Sequence, residues 1–322
     1  MTRTFLIDTD TASDDAVALI MALRADGVHV AGITTVAGNV NVNEATRNAL
    51  YTVELCGAST PVFPGARQPL KRPYASATWF HGNDGLGDHG YRAPKATAQP
   101  THAVEAIIEL VRANPGIVLV TLGPLTNIAL ALEKDPAIFS HVSRCVVMGG
   151  APCCEGNVTP AAEYNFWVDP DAARIVMRSG MPVELIGWHL CRGEAIINHR
   201  EIERMLAIGS VTARFAVECN RTAIEAIRVQ TGELGISLPD PVAMGIAIDP
   251  TLVVESSEHF VEVETESDLT RGMTVVDRLN VAGDGRNRAV WAQAAASNSR
   301  AQIAWRMDVP KWKSQLFDAL RK

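Results

Sequence analysis

Long apolar runs are missing from this chain. No stretch reaches the ~18 consecutive apolar residues that a membrane-spanning helix needs, and Asp8 interrupts the N-terminus before a signal-peptide core of ~7 to 15 apolar residues can form. Dense basic runs are missing too. With 29 Lys and Arg against 36 Asp and Glu the formal charge is -7, and no Lys/Arg track is present that would follow a phosphate backbone. The six cysteines (Cys56, Cys145, Cys153, Cys154, Cys191 and Cys219) have no metal-ligand spacing, and the adjacent pair Cys153 and Cys154 is a poor start for a disulfide framework. These absences argue against nucleic acid and membrane as partners and lead us to expect a soluble, cytoplasmic protein with reduced thiols. Internal repeats and low-complexity linkers are also lacking, so the 322 residues, 47% hydrophobic and 20% charged, are expected to form one domain over 1–322.

What is present is an alternation of two patterns. Short β-branched or apolar runs at 4–8, 28–38, 116–123, 144–150 and 182–187 read as buried parallel strands. Between them, 14–25, 43–55, 102–113, 125–134 and 171–178 carry apolar residues at helical spacing. Strand following helix in this way predicts an α/β fold, a mostly parallel, Rossmann-like central sheet with helices on both faces. Residues 64–101 are rich in Pro and Gly and read as a long loop of the kind that forms lids or binding loops. Residues 197–230 read as helical, and 251–281 as strands (TLVVE, HFVEVE, GMTVVD). The stretch 310–321 places Trp312, Leu316, Phe317 and Leu320 on one helical face.

The first strand runs directly into Asp8-Thr-Asp10-Thr-Ala-Ser-Asp14-Asp15, four carboxylates within eight residues. Capping of the following helix accounts for one or two of them. Four like charges in one turn repel each other, and a hard divalent cation is the simplest way to hold them together. Their place, at the carboxyl end of a strand in a parallel sheet, is where such folds bind ligands.

The string DTDTASDDAVAL resembles the DxDxxxDDxxAL signature of the inosine/uridine-preferring nucleoside hydrolase family. Further matches follow in the family's order: VAGN at 36–39, GPLTN at 123–127, MGG at 148–150, NVTPAAEYN at 157–165, DPDAA at 169–173, DPVA at 240–243 and TRGMTVVD at 270–277. The resemblance implies a nucleoside hydrolase fold, a homodimer or homotetramer, and hydrolysis of a ribonucleoside to ribose and free base. It also implies a calcium ion held by Asp10, Asp15, the Thr126 main-chain carbonyl and Asp240, all hard oxygen donors. Asp10 is then the base that takes the proton from the attacking water. Asp14, Asn39, Asn157, Glu163, Asn165 and Asp240 would grip the ribose hydroxyls as positive charge develops on the sugar.

The pattern breaks at one place. Many family members carry a histidine, which protonates the departing base, immediately before the later metal-binding aspartate; here that residue is Pro239. Replacement acids are expected just past the fifth strand, in His189 or Cys191, with Trp188 stacking on the base and His81, from HGNDGLG, contacting it. Without the histidine, purine bases, whose ring nitrogens accept protons, are the favoured leaving groups.

Two rival readings compete with this one. Leu6-Ile-Asp8-Thr-Asp10-Thr also fits the strand end of a haloacid dehalogenase-type phosphatase, with Gly283-Asp284-Gly-Arg-Asn287 as a faint late acidic motif, but Arg288 stands where a second late aspartate is needed. A non-catalytic nucleoside or ribose binder of the same fold would have no need of the water-activating Asp10.

Overall fold

A computed structural model describes residues 2–297 and 299–322. The first half alternates strand and helix: β1 (Arg3–Thr9), α1 (Ser13–Leu23), β2 (Val28–Thr35), α2 (Val42–Leu55), β3 (Val62–Pro64), α3 (Thr78–His81), α4 (Ala103–Ala113), β4 (Ile117–Thr121), α5 (Thr126–Lys134) and β5 (Val142–Met148). Then follow α6 (Tyr164–Val168), α7 (Pro170–Met177), β6 (Val183–Ile186), α8 (His199–Ala207), α9 (Val211–Glu218), α10 (Arg221–Thr231) and α11 (Pro239–Ile248). The chain ends with β7 (Val253–Val263), β8 (Thr274–Val276), α12 (Arg288–Ser297), β9 (Arg300–Met307) and α13 (Val309–Arg321).

Among the described residues one sheet of nine strands runs in the order β3-β2-β1-β4-β5-β6-β9-β7-β8. The strands from β3 to β9 are parallel, β7 is antiparallel to β9, and β8 is antiparallel to β7. The mostly parallel α/β architecture expected from the alternating pattern is therefore the one found. Central strands are buried on both faces, as all of Ile117–Thr121 is, which is why they read as unbroken apolar runs rather than alternating ones. One core lies on each side of the sheet: Phe5, Ile7, Val118 and Val120 face one, Leu6, Ile117 and Leu119 the other.

Helix α1 is buried along Ser13–Ala22. It is apolar all round because α2, α9, α11, α13 and β2 all pack against it. Trp312, Leu316, Phe317 and Leu320 do form the buried face of α13, with the Trp312 indole N–H donating to the Pro241 carbonyl at 2.9 Å. From β1 the chain winds outward through β2 to β3, while β4, on the other side of β1, starts the run toward β6. A crevice opens at this reversal beyond the carboxyl ends of β1 and β4, where ligands of doubly wound sheets sit.

Several elements differ from expectation. Val253–Glu255 of TLVVE and His259–Val263 of HFVEVE are parts of the single strand β7, with Thr251 and Leu252 in a 3₁₀ turn before it; β7 stays paired to β9 through two register shifts at Val253/Glu255 and Glu255/Ser256, irregularities that bend a strand without ending it. The helical region 197–230 is three helices, separated at Gly209-Ser210, where Ser210 caps α9, and at Asn220. Strand β9 and helix α12 have no counterpart among the elements expected from the sequence. Residues 64–101 are largely irregular, as expected, and hold only the short α3.

Candidate active site

The carboxylate turn is built by its neighbours. β1 ends with Asp8 and Thr9 clasped between β2 and β4: Val36 N donates to the Thr9 carbonyl (3.1 Å) and Leu122 N to the Asp8 carbonyl (2.8 Å). Asp15 does the expected capping work, accepting from Ala12 N at 2.9 Å with its second oxygen on the Thr9 hydroxyl at 2.5 Å. Capping explains no other member of the cluster. Asp10 accepts from Asn39 N at 2.5 Å, while its Oδ1 and the Oδ1 of Asp14 are buried without a partner. Asp240 joins them from the first turn of α11, so two helix N-termini point at the same spot and favour negative charge there. A Cβ at position 38 would overlap the Asp10 carboxylate, so only glycine fits in the VAGN turn.

Ligand oxygens of Asp14, Asp15 and Asp240 lie within 4.8 Å of one another, all buried. Burial pushes every one of these carboxyls up, Asp14 to about 8, and the charges of neighbouring aspartates push Asp10, Asp14 and Asp240 further. Among the described residues the basic group within ion-pair reach is His81, with Nδ1 3.7 Å from Asp14 and 2.8 Å from the Ser13 hydroxyl. Burial lowers His81 to about 3, so it is neutral and compensates nothing. Orphaned oxygens, oxygen-only donors and crowded uncompensated acids fit a hard divalent cation.

Asp14 and Asp240 line a cleft of about 590 Å³, in the usual range for small-molecule sites, while Asp8, Asp10 and Asp15 are fully buried and do not line it. Asp14, Asn39, His81, Asn157, Glu163, Asn165, Trp188 and Asp240, drawn from widely separated motifs, all line it. Glu163 caps α6, accepting from Asn165 N and Phe166 N, and also holds Gly150 N at 2.8 Å; burial raises it to about 7. Asn165 turns its amide N–H toward the carbonyls of Leu122 and Met148. Met148, from the MGG motif, lines the cleft as well. Thr126 is buried, with its hydroxyl on Asp169 at 2.6 Å.

Two expectations fail on geometry. His189 and Cys191 sit in a short 3₁₀ turn after β6 and do not line the cleft. His189 Nε2 bonds the Ala304 carbonyl at 2.9 Å, its ring 5.9 Å from that of Trp305, and Cys191 Sγ points back to the Gly187 carbonyl. Burial lowers the basicity of His189 and raises the Cys191 thiol well above its usual range. A 3₁₀ turn sends consecutive side chains about 120° apart, which turns His189 away from the direction of Trp188, while the short Cys191 side chain stays buried on the Gly187 carbonyl, so only Trp188 of the three lines the cleft. Pro239 also lines it, at the first position of α11 where proline suits a helix start. Tyr164, Ser237 and Gln230 line the cleft as well, and no pattern in the sequence singles them out for it. Gln230 arrives from the last turn of α10 and bonds the Asn157 carbonyl, a contact between segments 73 residues apart.

The profile of the family described as inosine-uridine preferring nucleoside hydrolase matches residues 5–314. The chain belongs to this nucleoside hydrolase family. A pyrimidine-specific ribonucleoside hydrolase, RihA, of Shewanella sp. (strain MR-7) is 38% identical over 293 residues, 90% of this chain and 91% of that one. RihB of Escherichia coli (strain SE11), also described as pyrimidine-specific, is 34% identical over 289 residues, 89% and 91% of the two chains. Among solved structures, a plant nucleoside hydrolase superposes with a TM-score of 0.92 at 30% identity, covering 100% of this chain and 99% of that one. A purine-preferring ribonucleoside hydrolase from Gardnerella vaginalis gives 0.87 at 30% identity, with 99% and 98% covered. This nucleoside hydrolase is therefore an N-ribohydrolase by family, with the family's sheet. Among its described residues no helix is long and apolar enough to cross a membrane.

Proposed function

We propose that the protein hydrolyses the N-glycosidic bond of ribonucleosides, releasing ribose and free base, in a calcium-dependent reaction. The observation that carries this reading is the buried carboxylate cluster, with orphaned oxygens on Asp8, Asp10 and Asp14, that reaches through Asp14 and Asp240 into a cleft lined by amides, carboxylates and aromatic rings. Asp15 and Asp240, whose ligand oxygens cluster with one of Asp14, would hold the ion, and the family resemblance adds Asp10 and the Thr126 carbonyl to that set. When bound, calcium supplies positive charge that lowers the pKa of a neighbouring water.

The chain's own groups then divide the work. Asp10 takes the proton of the water that attacks C1′, its carboxylate aimed by Asn39 N. Asp14, Asn39, Asn157, Glu163, Asn165 and Asp240 hold the ribose hydroxyls, and their polar contacts strengthen as the sugar gains oxocarbenium character. Trp188, Phe80, Trp79 and His81 form the aromatic wall against which the base lies. With Pro239 carrying no acid, departure of the base relies on this wall and on the base's own protonation, which favours purines. One domain over 1–322, assembled as a homodimer or homotetramer in the cytoplasm, completes the reading.

The test is a panel of purine and pyrimidine ribonucleosides, with and without a calcium chelator, followed by chromatography for free base. Chelator-sensitive base release that is lost in Asp10→Asn, while that variant stays folded, is the expected result. Nucleoside binding with no base released from any member of the panel would identify a binding protein instead.

A further inference from the structure

Helix α5 begins with two buried polar residues whose side chains point away from the helix's apolar face. Asn127 is fully buried, and its amide is used on every side. Nδ2 donates to Asp8 Oδ1 at 2.8 Å and to the Thr35 carbonyl at 3.0 Å, and Oδ1 accepts from Ala66 N at 2.9 Å. Asp8 and Thr35 lie at the carboxyl ends of β1 and β2, and Ala66 is two residues past β3. A Cβ on Gly65 would collide with this amide, so the chain after β3 passes Asn127 as bare backbone. The preceding Thr126 fastens the same loop from the other side, through Asp169, which also accepts from Leu70 N at 2.9 Å.

We propose that Asn127 is a positioning residue for Asp10, locking the carboxyl ends of three adjacent strands to the start of α5. The inference rests on the role given to Asp10 above. Asp10 has two determinants of place: its own strand end, two residues beyond Asp8, and the Asn39 N–H, which follows the end of β2. Asn127 grips both, one through Asp8 and the other through Thr35. An apolar side chain of similar volume would pack the helix but take from Asp8 one of the two side-chain donors on its Oδ1, leaving the Thr34 hydroxyl at 2.5 Å, and would cut the link from Asp8 to the Thr35 carbonyl. A carboxylate there would repel Asp8. The neutral amide, with two donors and one acceptor in a plane, matches the two oxygens and one N–H presented to it.

Asn127→Asp keeps the shape, removes both donations and sets a second carboxylate against Asp8. Expected with saturating calcium is a fall in kcat of roughly 100-fold, the loss typical of a misplaced reacting group, with KM within roughly threefold. Calcium titration calorimetry, independent of turnover, should show a weaker site. The double variant Asp8→Asn/Asn127→Asp restores a donor and acceptor facing each other and should regain about tenfold in kcat over the single variant. If Asn127→Asp fails to fold, Asn127→Ser carries the test, with kcat lowered about tenfold at near-constant KM. A folded Asn127 variant with kcat and calcium affinity like the wild type, changed only in melting temperature, overturns the proposal. Asp10→Asn is run alongside. If it is inactive while the Asn127 variants are fully active, the positioning role alone falls; if it turns over normally, the role assigned to Asp10 falls with it.

Discussion

Removing the metal at different pH values tests the site through stability rather than turnover. Burial raises the Asp14 carboxyl from 3.8 to about 8 in the bare fold, and Asp10 and Asp240 move the same way. A carboxyl whose folded pKa exceeds its unfolded one binds its proton more tightly when folded. The stability it lends is complete below the unfolded value, near pH 4, and is lost as pH climbs through the folded value near 8. The difference of about four units at Asp14, which belongs to the interacting aspartates together rather than to one of them, corresponds to about 6 kcal/mol at ~1.4 kcal/mol per unit. That is comparable to the ~5–15 kcal/mol that holds a typical domain folded. Chelated protein should therefore lose melting temperature steadily from about pH 5 to pH 8. Calcium-loaded protein, its carboxylates ionised against the cation, should hold a nearly level profile. The surface carboxylates lowered by ion pairs or backbone N–H groups, such as Asp249 and Glu264, titrate below this window; buried His81, lowered to about 3, adds stability as pH rises to its unfolded value near 6.5 and so opposes the trend there, but Asp8 and Glu163, both raised to about 7, act with Asp14 and outnumber it. Melts followed by circular dichroism at each pH, with chelator or with calcium, give the comparison. A chelated profile that is flat or rises with pH, or one that coincides with the calcium profile, refutes the reasoning.

Three further outcomes follow from the same geometry. Gly38→Ala drives a methyl into the Asp10 carboxylate; kcat should drop by roughly 100-fold or more, and wild-type turnover would show that the turn yields freely. His189→Ala and Cys191→Ala should each leave nucleoside turnover within about threefold of the wild type, since neither side chain lines the cleft. A loss of ~100-fold or more, the mark of a missing general acid, would return them to the mechanism. Trp312→Ala empties the fully buried face of α13 and should cost about 3–5 kcal/mol in urea unfolding. A cost under ~1 kcal/mol would mean that α13 is peripheral to the core.

The strands that matter for the site were legible because they are buried on both faces and announce themselves as apolar runs. The carboxylate turn was legible because four aspartates in eight residues exceed what a helix start can use. β9 was not, since Arg300–Met307 mixes Ala301, Ile303 and Ala304 inward with Arg306 and Gln302 outward and follows an alanine-rich helix. Only its pairing with β6 and β7 makes it a strand. The cleft residues on Asn39, Asn157, Glu163 and Asn165 stood in short ordered motifs. Gln230 and Ser237 did not, because their place depends on how α10 and α11 pack, which periodicity does not encode. His189 failed for a simpler reason. Adjacency to Trp188 in sequence says nothing about direction in a 3₁₀ turn, and there the ring turns to Ala304.

The insertion of β9 between β6 and β7 has a consequence for how the chain is made. β6 is complete at Ile186, yet the strand that pairs with its outer edge ends at Met307, and β7 and β8 join the sheet through that same strand. During synthesis the aspartate turn, β4 and β5 emerge early and can pair at once, while the β6 edge waits for more than a hundred further residues. Over that interval its open hydrogen-bonding edge is a template for other chains. A ribosome stalled between Ile186 and Arg300 would hold a nascent chain with its Asp8–Asp15 turn formed and its sheet unsealed, the species on which chaperone capture or aggregation should concentrate.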